Sequence, residues 1–414
     1  MQILFINIKQ LLQIREQNVT RLSGTEMGKL PFLDDAYLLT ENEKILDFGP
    51  MSKLGEIDAE KIIDATGKML LPAWCDSHTH LVYAGNREDE FVDRIHGLSY
   101  EEIASRGGGI LNSAEKLKNT SEEDLFDQSV KRLEEIMSLG TGAVEIKSGY
   151  GLSKESEIKM LRVIQRLNQE FPIEIKATFL GAHAIPKEFA DKPDDYVDSI
   201  CSDMIPEIGS SKLADFIDVF CEKGYFSVAQ TEKIMKMGRE YGMIPKIHVN
   251  QFNSIGGIQA GIRHQALSVD HLEVMLPEDF AALKASEVMP VALPSCSYFL
   301  GIPYTPARAI IDQGMPLALA TDFNPGSTPS GNMNFVVSTA CIKMRMSPEE
   351  AINAATVNGA FAMNLSESHG SITRGKRANL ILTKEIPSYG FLPYAFGSNL
   401  IDKVMINGAF VSKT

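Results

Sequence analysis

This sequence has few of the features that mark disulfide-stabilised proteins. Its cysteines are odd in number, widely spaced and free of any C-x-x-C pair, which argues against a disulfide framework and against a thiolate zinc or redox site. We therefore expect five buried thiols, at Cys75, Cys201, Cys221, Cys296 and Cys341. A bound metal would have to be held by histidine and carboxylate side chains.

Long apolar runs and excess positive charge are also missing. No stretch approaches the roughly 20 apolar residues that cross a bilayer, and the start MQILFINIKQLLQI lacks the basic lead and small-residue cleavage site of a signal peptide. The 40 basic and 54 acidic residues leave a formal charge of -14, which repels phosphate backbones and anionic lipid. We expect a cytoplasmic protein that binds neither nucleic acid nor membrane.

What the sequence does contain is a β pattern at each end. Short β-like runs are separated by turn residues, and the last one surrounds an Asn-Gly hairpin signal. These runs cover residues 2–8, 44–48, 61–64, 378–383 and 403–411. The two ends, residues 1–66 and 371–414, are therefore predicted to build one small β-sandwich domain together.

Strand and helix patterns alternate through the middle of the chain. Two segments show the i, i+4, i+7, i+11 spacing of a helix: Phe126, Val130, Leu133 and Met137, then Met160, Ile164, Leu167 and Phe171. Eight candidate strands cover residues 69–75, 143–147, 174–180, 215–220, 246–249, 266–270, 288–293 and 316–321. The pattern predicts a (β/α)8 barrel over residues 67–370, with its site at the carboxyl ends of the strands. A doubly wound open sheet is the alternative, but no G-x-G-x-x-G follows the first strand.

Chemically capable side chains follow these predicted strands. Five of the eight histidines are among them, and His96, His264 and His369 are not. The set comprises Asp76, His78, His80, Lys147, Ser148, Tyr150, His183, His248, Gln251, Asp270, His271 and Asp322.

The pair His78 and His80 is the strongest local signal. Residues i and i+2 of a strand project from the same face, so two imidazoles can bind one ion. An isolated pair of this kind more often consists of two packed histidines. Here His248 and Asp322 complete a set of four nitrogen and oxygen ligands suited to zinc or iron.

Such an ion activates water and polarises a carbonyl, which indicates a hydrolase. In that chemistry Asp322 would carry a proton from water to a leaving nitrogen. His271 would stabilise the developing oxyanion, share in proton transfer, or only support the site structurally.

Taken together and in this order, several stretches resemble the amidohydrolase superfamily. They are LPAWCDSHTH (71–80), GNREDEF (85–91), SYEEIASRGGGI (99–110), EIKSGYGL (145–152), FLGAHAIP (179–186), HVNQF (248–252), SVDHLE (268–273) and ATDFNPGS (320–327). The resemblance covers nearly the whole chain. Within the superfamily, the resemblance is greatest to the enzymes of histidine degradation that open the ring of 4-imidazolone-5-propanoate to give N-formimidoyl-L-glutamate.

Carried over position by position, the resemblance implies which residues bind a metal, which contact the substrate and which catalyse. One divalent metal ion per chain, Zn2+ or Fe2+/Fe3+, would be held by His78, His80, His248 and Asp322. The substrate would be contacted by Arg87, Tyr150, His183 and Gln251, with Asn324, Gly326 and Ser327 lining the pocket. Catalysis would fall to Asp322 and His271, and the family leads us to expect a homodimer.

Each substrate contact has an ordinary structural alternative. Arg87 offers a planar fork for the propanoate, or else forms a surface ion pair with a neighbour in REDE. Tyr150 reaches a ligand or is an ordinary packed tyrosine. His183 donates to the ring carbonyl or the carboxylate, or caps the next helix.

Four features depart from the family pattern or stay open. Gln251 and Asn250 are neutral amides where some relatives carry acids, so neither can act as a base. Ser327 stands where threonine is frequent in relatives. In other amidohydrolases a carbamylated lysine at the end of strand four can bridge two metals. Here strand four ends in VFCEKG, with no lysine at that place, so we expect one metal and a structural role for Lys147. The glycine run RGGGI (106–110) fits a lid or a plain turn equally well.

Two further functions remain open at this point. An aminohydrolase acting on a nucleobase or another cyclic amidine would use the same ion, but a neutral base has no carboxylate for Arg87 to bind. A barrel that has lost catalysis and serves as a scaffold would be expected to have lost ligands, whereas all four and His271 are present.

Overall fold

The computed structural model describes residues 1–98, 102–103 and 108–411. Its strands, in chain order, are β1 (Gln2–Leu12), β2 (Phe32–Glu41), β3 (Lys44–Pro50), β4 (Lys61–Asp64), β5 (Lys68–Pro72), β6 (Trp74–Thr79), β7 (Thr141–Lys147), β8 (Glu174–Ala182), β9 (Phe216–Cys221), β10 (Ile244–Val249), β11 (Ser268–His271), β12 (Met289–Ala292), β13 (Ala318–Leu319), β14 (Leu380–Glu385), β15 (Ile401–Ile406) and β16 (Ala409–Phe410).

The helices lie mostly between the strands of the middle segment. Their bounds are Glu88–Ile95, Ile110–Lys118, Glu122–Ser138, Lys154–Glu170, Pro193–Ser199, Ile205–Ser210, Val228–Glu240, Gly257–Arg263, Pro277–Lys284, Pro294–Leu300, Ala307–Asp312, Met333–Met344, Pro348–Ala355, Val357–Ala362 and Phe391–Tyr394. Both helices predicted from the 3.6-residue spacing are present. Helix Glu122–Ser138 begins where the Ser121 hydroxyl accepts the Asp124 N–H, and it buries Leu133 and Met137 against the barrel core.

The eight strands β6 to β13 form one parallel sheet in sequential order. Hydrogen bonds between its two edges close this sheet: His80 N donates to Phe323 O over 2.8 Å, and Asp322 N donates to His78 O over 2.9 Å. The predicted (β/α)8 barrel is confirmed, and the predicted site residues lie at the carboxyl end of its strands.

The first predicted strand, 69–75, is wrong as a single element. Residues Lys68–Pro72 form β5, which pairs with β1 and β14 in the other sheet, and the barrel begins only with Trp74–Thr79. Asp76 and His78 therefore lie inside the first barrel strand, and only His80 follows it. The last barrel strand is also shorter than the predicted 316–321, covering Ala318–Leu319.

The two chain ends form a second sheet of eight strands, in the order β16-β15-β14-β5-β1-β2-β3, with β4 on β1. The predicted Asn-Gly hairpin joins β15 to β16, and both turn residues have the positive φ that a tight hairpin needs (Asn407 47°, Gly408 74°). Strand β2 had no counterpart in the prediction. The sheet has a hydrophobic core of its own, separate from that of the barrel.

The division into two domains remains a proposal. Because β5 belongs to the terminal sheet, we now place the first boundary after Pro72 rather than after residue 66.

All five cysteines are unpaired, and four of them are buried, Cys341 being half-buried. Among the described residues, every helix is too short or too polar to cross a membrane.

Candidate active site

Three histidines and one aspartate converge at the barrel mouth from three separate parts of the chain. The Oδ1 atom of Asp322 lies 3.6 Å from Nε2 of His78 and 3.6 Å from Nε2 of His80. The Nε2 atom of His248 lies 3.4 Å from that of His80. All four side chains are buried. His78 in β6 and His80 just after it are two positions apart and so lie on the same inner face, and β10 and the segment after β13 supply the others.

Buried carboxylates fix the orientation of two of these imidazoles. Asp270 Oδ2 lies 2.6 Å from Nδ1 of His78, and Asp218 Oδ2 lies 2.9 Å from Nδ1 of His248. Asp270 accepts the Nδ1 proton of His78, so Nε2 of that ring carries the lone pair. The Nε2 atom of His78 has no hydrogen-bond partner among the described residues. A buried lone pair without a donor, beside a carboxylate oxygen and other ring nitrogens, fits a cation.

Burial keeps the three converging histidines neutral. It lowers the pKa of His78 and of His80 well below the ordinary value, helped at His78 by the Lys147 ammonium and at His80 by the His183 ring. Burial likewise lowers the pKa of His248 to about 4, although Asp218 opposes the shift. Neutral imidazole is the form that coordinates metal. Burial raises the pKa of Asp322 to about 6.

Lys147 lies beneath the histidines as a buried counter-charge. Its Nζ is 2.5 Å from Glu145 Oε1, 2.8 Å from Asp218 Oδ2 and 3.9 Å from Asp270 Oδ2. Burial would lower its pKa, but these carboxylates raise it on balance, so the amine is charged. A charged ammonium cannot bridge two metals as a carbamate does, which agrees with the predicted structural role of Lys147.

Strained backbone is concentrated at the same strand ends. Asp322 (φ 57°), His271 (φ 88°) and Asn250 (φ 56°) are non-glycine residues in the left-handed region, where each costs about 1–3 kcal/mol. His271 is the last residue of β11, and Glu273 Oε1 lies 3.3 Å from its Nδ1. Burial lowers the pKa of His271, but the carboxylates of Glu273, Asp322 and Asp270 together more than offset it and the net shift is upward.

A cavity of about 270 Å³ opens above the four converging side chains. Every residue proposed to contact substrate lines it: Arg87, Tyr150, His183, Gln251, Asn324, Gly326 and Ser327. His80, His248, His271 and Asp322 form part of its wall as well. Because these residues line one cavity, they can contact the same small ligand.

Arg87 combines features of both interpretations. Its Nε and Nη2 donate to Glu90 Oε2 over 2.8 and 2.6 Å, which is the ion pair within REDE. The pair is not on the surface, however, because the Arg87 side chain is only 7% exposed. Its Nη1 abuts Gly326 so closely that a Cβ there would lie 2.2 Å away. The guanidinium is thus held at the cavity wall by Glu90 and the eighth loop.

Asn324 shapes the loop that follows the last strand. Its Oδ1 accepts the N–H groups of Gly326 and Ser327, each over 2.8 Å, and its Nδ2 donates to Asp322 O over 2.7 Å. The Ser327 hydroxyl donates to Oδ2 of Asp322 over 3.2 Å. The serine that replaces the frequent threonine therefore retains a hydroxyl at the carboxylate.

The prediction that His183 donates a hydrogen bond to a ligand needs correction. Its Nδ1 lies 2.9 Å from the carbonyl oxygen of Gly149 and so must carry the proton. Burial lowers the pKa of His183 to about 3, so the ring is neutral and its Nε2 can only accept. The ring stacks on His80 with centroids 5.1 Å apart. Any ligand group that meets Nε2 must therefore be a donor.

Tyr150 and Gln251 are buried in the wall. The Tyr150 ring meets those of His80 and His183 with centroids 5.8 and 5.3 Å apart. The Gln251 amide donates to the Cys296 sulfur over 3.5 Å. Asn250 points away from the cavity, since its amide binds Val274 O and Asp279.

The amidohydrolase family matches this chain over residues 69–411. Two curated relatives are similar over almost their whole length. One is the imidazolonepropionase of Flavobacterium johnsoniae, 66% identical over 98% of each chain, and the other is that of Christiangramia forsetii, 64% identical over 99% of this chain and all of the relative. The chain belongs to the amidohydrolase family.

Two solved structures of low sequence identity share the fold of this chain. Guanine deaminase of E. coli has a TM-score of 0.73 at 14% identity, and the match covers 100% of this chain and 99% of the deaminase chain. An adenosine deaminase of Xanthomonas campestris with bound zinc has a TM-score of 0.73 at 16% identity, covering 99% of this chain and 92% of its own. At such identities the likeness concerns the barrel and its terminal sheet.

Sequence reasoning missed several residues of this amidohydrolase site. Asp218 lies inside β9, whose run FIDVFC reads as a buried strand. A carboxylate in the middle of such a run, two residues before Phe220 of the cavity wall, was the signal that could have revealed it. Glu90, Arg94 and Tyr225 also line the cavity. Glu90 lies in the stretch GNREDEF, whereas Arg94 and Tyr225 lie outside the stretches that carry the resemblance.

The glycine run proposed as a lid or a turn lies partly outside the described residues. Arg106 and Gly107 are outside them, as is most of the SYEEIASRGGGI stretch, while Gly109 precedes helix Ile110–Lys118 and donates its N–H to Glu90 Oε1.

Proposed function

We propose that this chain is an imidazolonepropionase, which hydrolyses the cyclic amide of 4-imidazolone-5-propanoate to N-formimidoyl-L-glutamate in histidine catabolism. The observation that carries the proposal is the 66% identity over 98% of the chain to a curated enzyme of that name. A cationic Arg87 in the same cavity as three of the four converging side chains, His80, His248 and Asp322, supports it independently.

The substrate's propanoate explains why the cavity needs an arginine. A planar guanidinium binds carboxylate through two parallel hydrogen bonds, and such charge-assisted bonds contribute about 1.5–3 kcal/mol each. Glu90 and Gly326 hold Arg87 in place before substrate arrives. A neutral nucleobase offers no carboxylate for this guanidinium to bind, which favours the imidazolone over the aminohydrolase alternative.

One divalent ion, zinc or iron, would be held by His78, His80, His248 and Asp322. When bound, it supplies Lewis-acid activation of water and of the ring carbonyl. The donor set is suitable because the Nδ1 proton of His78 is bound by Asp270, which leaves its Nε2 lone pair available without rearrangement.

The chain's own residues then direct the proton transfers. Asp322 takes a proton from the attacking water and delivers it to the ring nitrogen that leaves, while the ring carbonyl becomes the product's α-carboxylate. His271, held by Glu273, donates to the developing oxyanion. His183 accepts a hydrogen bond from a ring N–H of the imidazolone through Nε2, because its Nδ1–H is already donated to the carbonyl oxygen of Gly149.

We further propose that the protein acts in the cytoplasm as a homodimer. Family expectation supports the dimer, and the acidic composition is compatible with both.

The experiment that tests the proposal pairs elemental analysis with substrate comparison. The purified full-length protein is expected to carry one zinc or iron per chain and to consume 4-imidazolone-5-propanoate. It should release no ammonia from guanine or cytosine. Ammonia release without imidazolone turnover would favour the aminohydrolase, and absence of stoichiometric metal together with absence of turnover would favour a scaffold.

A further inference from the structure

A thiol lies beside the catalytic carboxylate and is not used by the reaction described above. Ligand atoms of His271, Cys296 and Asp322 all lie within 4.8 Å of one another, and all three residues are buried. They come from three neighbouring parts of the barrel: the end of β11, helix Pro294–Leu300 after β12, and the segment after β13. An imidazole, a thiol and a carboxylate are a donor set typical of zinc.

The unused atoms of these residues are available to a second cation. Glu273 faces Nδ1 of His271, which leaves Nε2 for a ligand. Asp322 directs Oδ1 toward the His78 and His80 pair, while Oδ2 accepts a long bond of 3.2 Å from the Ser327 hydroxyl. A carboxylate with its two oxygens on different sides can serve two ions.

A buried acid beside the trio adds negative charge. Glu273 is 6% exposed, and its Oε2 has no hydrogen-bond partner among the described residues. A buried carboxylate oxygen without a donor is costly, and a nearby cation offsets that cost. A thiophilic ion forms a stronger bond to the Cys296 sulfur than a hard ion does.

We propose that His271, Cys296 and Asp322 form a second, inhibitory binding site for a thiophilic divalent cation such as Zn2+ or Cd2+. Binding breaks the S–H bond, forms a metal–sulfur bond and releases one proton to water, with no change of oxidation state. A water molecule would complete a four-coordinate shell.

Occupation of this site opposes the reaction proposed above. His271 and Asp322 could no longer exchange protons with substrate, so turnover falls as the second ion binds. Mg2+ and Mn2+, which prefer oxygen ligands, should not inhibit at the same concentrations. The inference relies on the proposed function only where it links the second ion to inhibition, since Cys296 can bind metal whether or not the first site is catalytic.

Cd2+ is the probe that isolates Cys296, because a cadmium–thiolate bond has an ultraviolet charge-transfer band. The metal-loaded full-length protein is titrated with Cd2+ while this band, the bound cadmium and the activity are followed. We expect one saturable ion per chain that produces the band and lowers activity at least tenfold. Cys296→Ser should lose the band and weaken inhibition at least tenfold relative to its own uninhibited rate. Cys341→Ser, at the half-buried cysteine, is the matched control and should keep both.

The proposal is overturned if Cys296→Ser retains the charge-transfer band, or if Cd2+ inhibits the wild type and this variant equally. It is also overturned if the wild type shows no band at saturating Cd2+. A band that depends on Cys296 in a protein without imidazolone turnover would sustain the second site while contradicting the proposed function.

Discussion

The carboxylate of Asp218 holds His248 by both its ring and its backbone. Asp218 Oδ2 lies 2.9 Å from Nδ1 of the imidazole, and Oδ1 accepts the His248 backbone N–H over 3.1 Å. Burial would raise the pKa of this aspartate, but His248 and Lys147 hold it well below the ordinary value, so the carboxylate is charged. The orientation of a proposed metal ligand is thus set by a residue that cannot reach the metal itself.

Asp218→Asn should therefore weaken metal binding without removing a ligand. Loss of a hydrogen-bond partner behind a ligating histidine typically costs about 10–100-fold in affinity, and we expect that range in competition with a chelator. Asp203→Asn, at an exposed aspartate, is the control. Unchanged affinity in Asp218→Asn would mean that packing alone orients His248.

Removal of His248 itself should have a larger effect. His248→Ala deletes one of four proposed ligands, and we expect the purified variant to lose both stoichiometric metal and turnover. His264→Ala is the matched control, since His264 lies outside the cavity. A His248→Ala protein with full activity would refute the assignment of the site.

Arg87→Ala should separate substrate binding from metal binding. Loss of a charge-assisted contact to the propanoate predicts a KM raised about tenfold to a hundredfold, with metal content unchanged. Arg87→Lys keeps the charge but not the planar fork, so its KM should lie between the two. An unchanged KM in Arg87→Ala would remove this residue from the substrate site.

Gly326→Ala tests the close contact behind that arginine. A Cβ at this position would lie 2.2 Å from Nη1 of Arg87, so the guanidinium must move away from the geometry that Glu90 fixes. We expect a raised KM, a melting temperature within a few degrees of wild type, and unchanged metal content. Gly28→Ala, where an added Cβ meets nothing within 4 Å, serves as the control. Equal KM values for both variants would contradict the proposed role of this contact.

Lys376 provides a test of stability far from the site. Its ammonium donates to His369 O over 2.8 Å, and burial lowers its pKa to about 8, whereas the unfolded chain should titrate near about 10.4. Between these values the unfolded state binds more protons, so the contribution of Lys376 to stability rises with pH. Relative to Lys376→Met, wild type should gain roughly 1–3 kcal/mol from pH 8 to pH 10.5 in urea unfolding. A constant or falling difference would contradict the lowered pKa.

The sequence revealed those parts of the site that a local pattern encodes. His78 and His80 could be found because strand alternation places residues i and i+2 on one face, and the barrel because strand and helix periods alternate. The first strand was misplaced because residues 69–75 form one apolar run, although the chain passes from one sheet to the other at Ala73.

Contacts between distant segments could not be predicted in this way. Asp218 and His248 are 30 residues apart, and Cys296 meets Asp322 only because neighbouring barrel strands bring the two together. The acceptor role of His183 depends on the carbonyl of Gly149 from the preceding loop. Such roles are set by tertiary partners, and no residue-type pattern encodes them.

The hydrogen bonds that join His80 to Phe323 and Asp322 to His78 close the barrel at the ligand cluster itself. The first and last strands must therefore meet before the cluster has its Asp322 member. An unfolded or half-assembled chain then has little affinity for the proposed ion. An ion that binds only the native state stabilises that state. Metal uptake becomes an indicator of completed assembly: during refolding it should lag behind the recovery of helical structure and coincide with edge-to-edge closure.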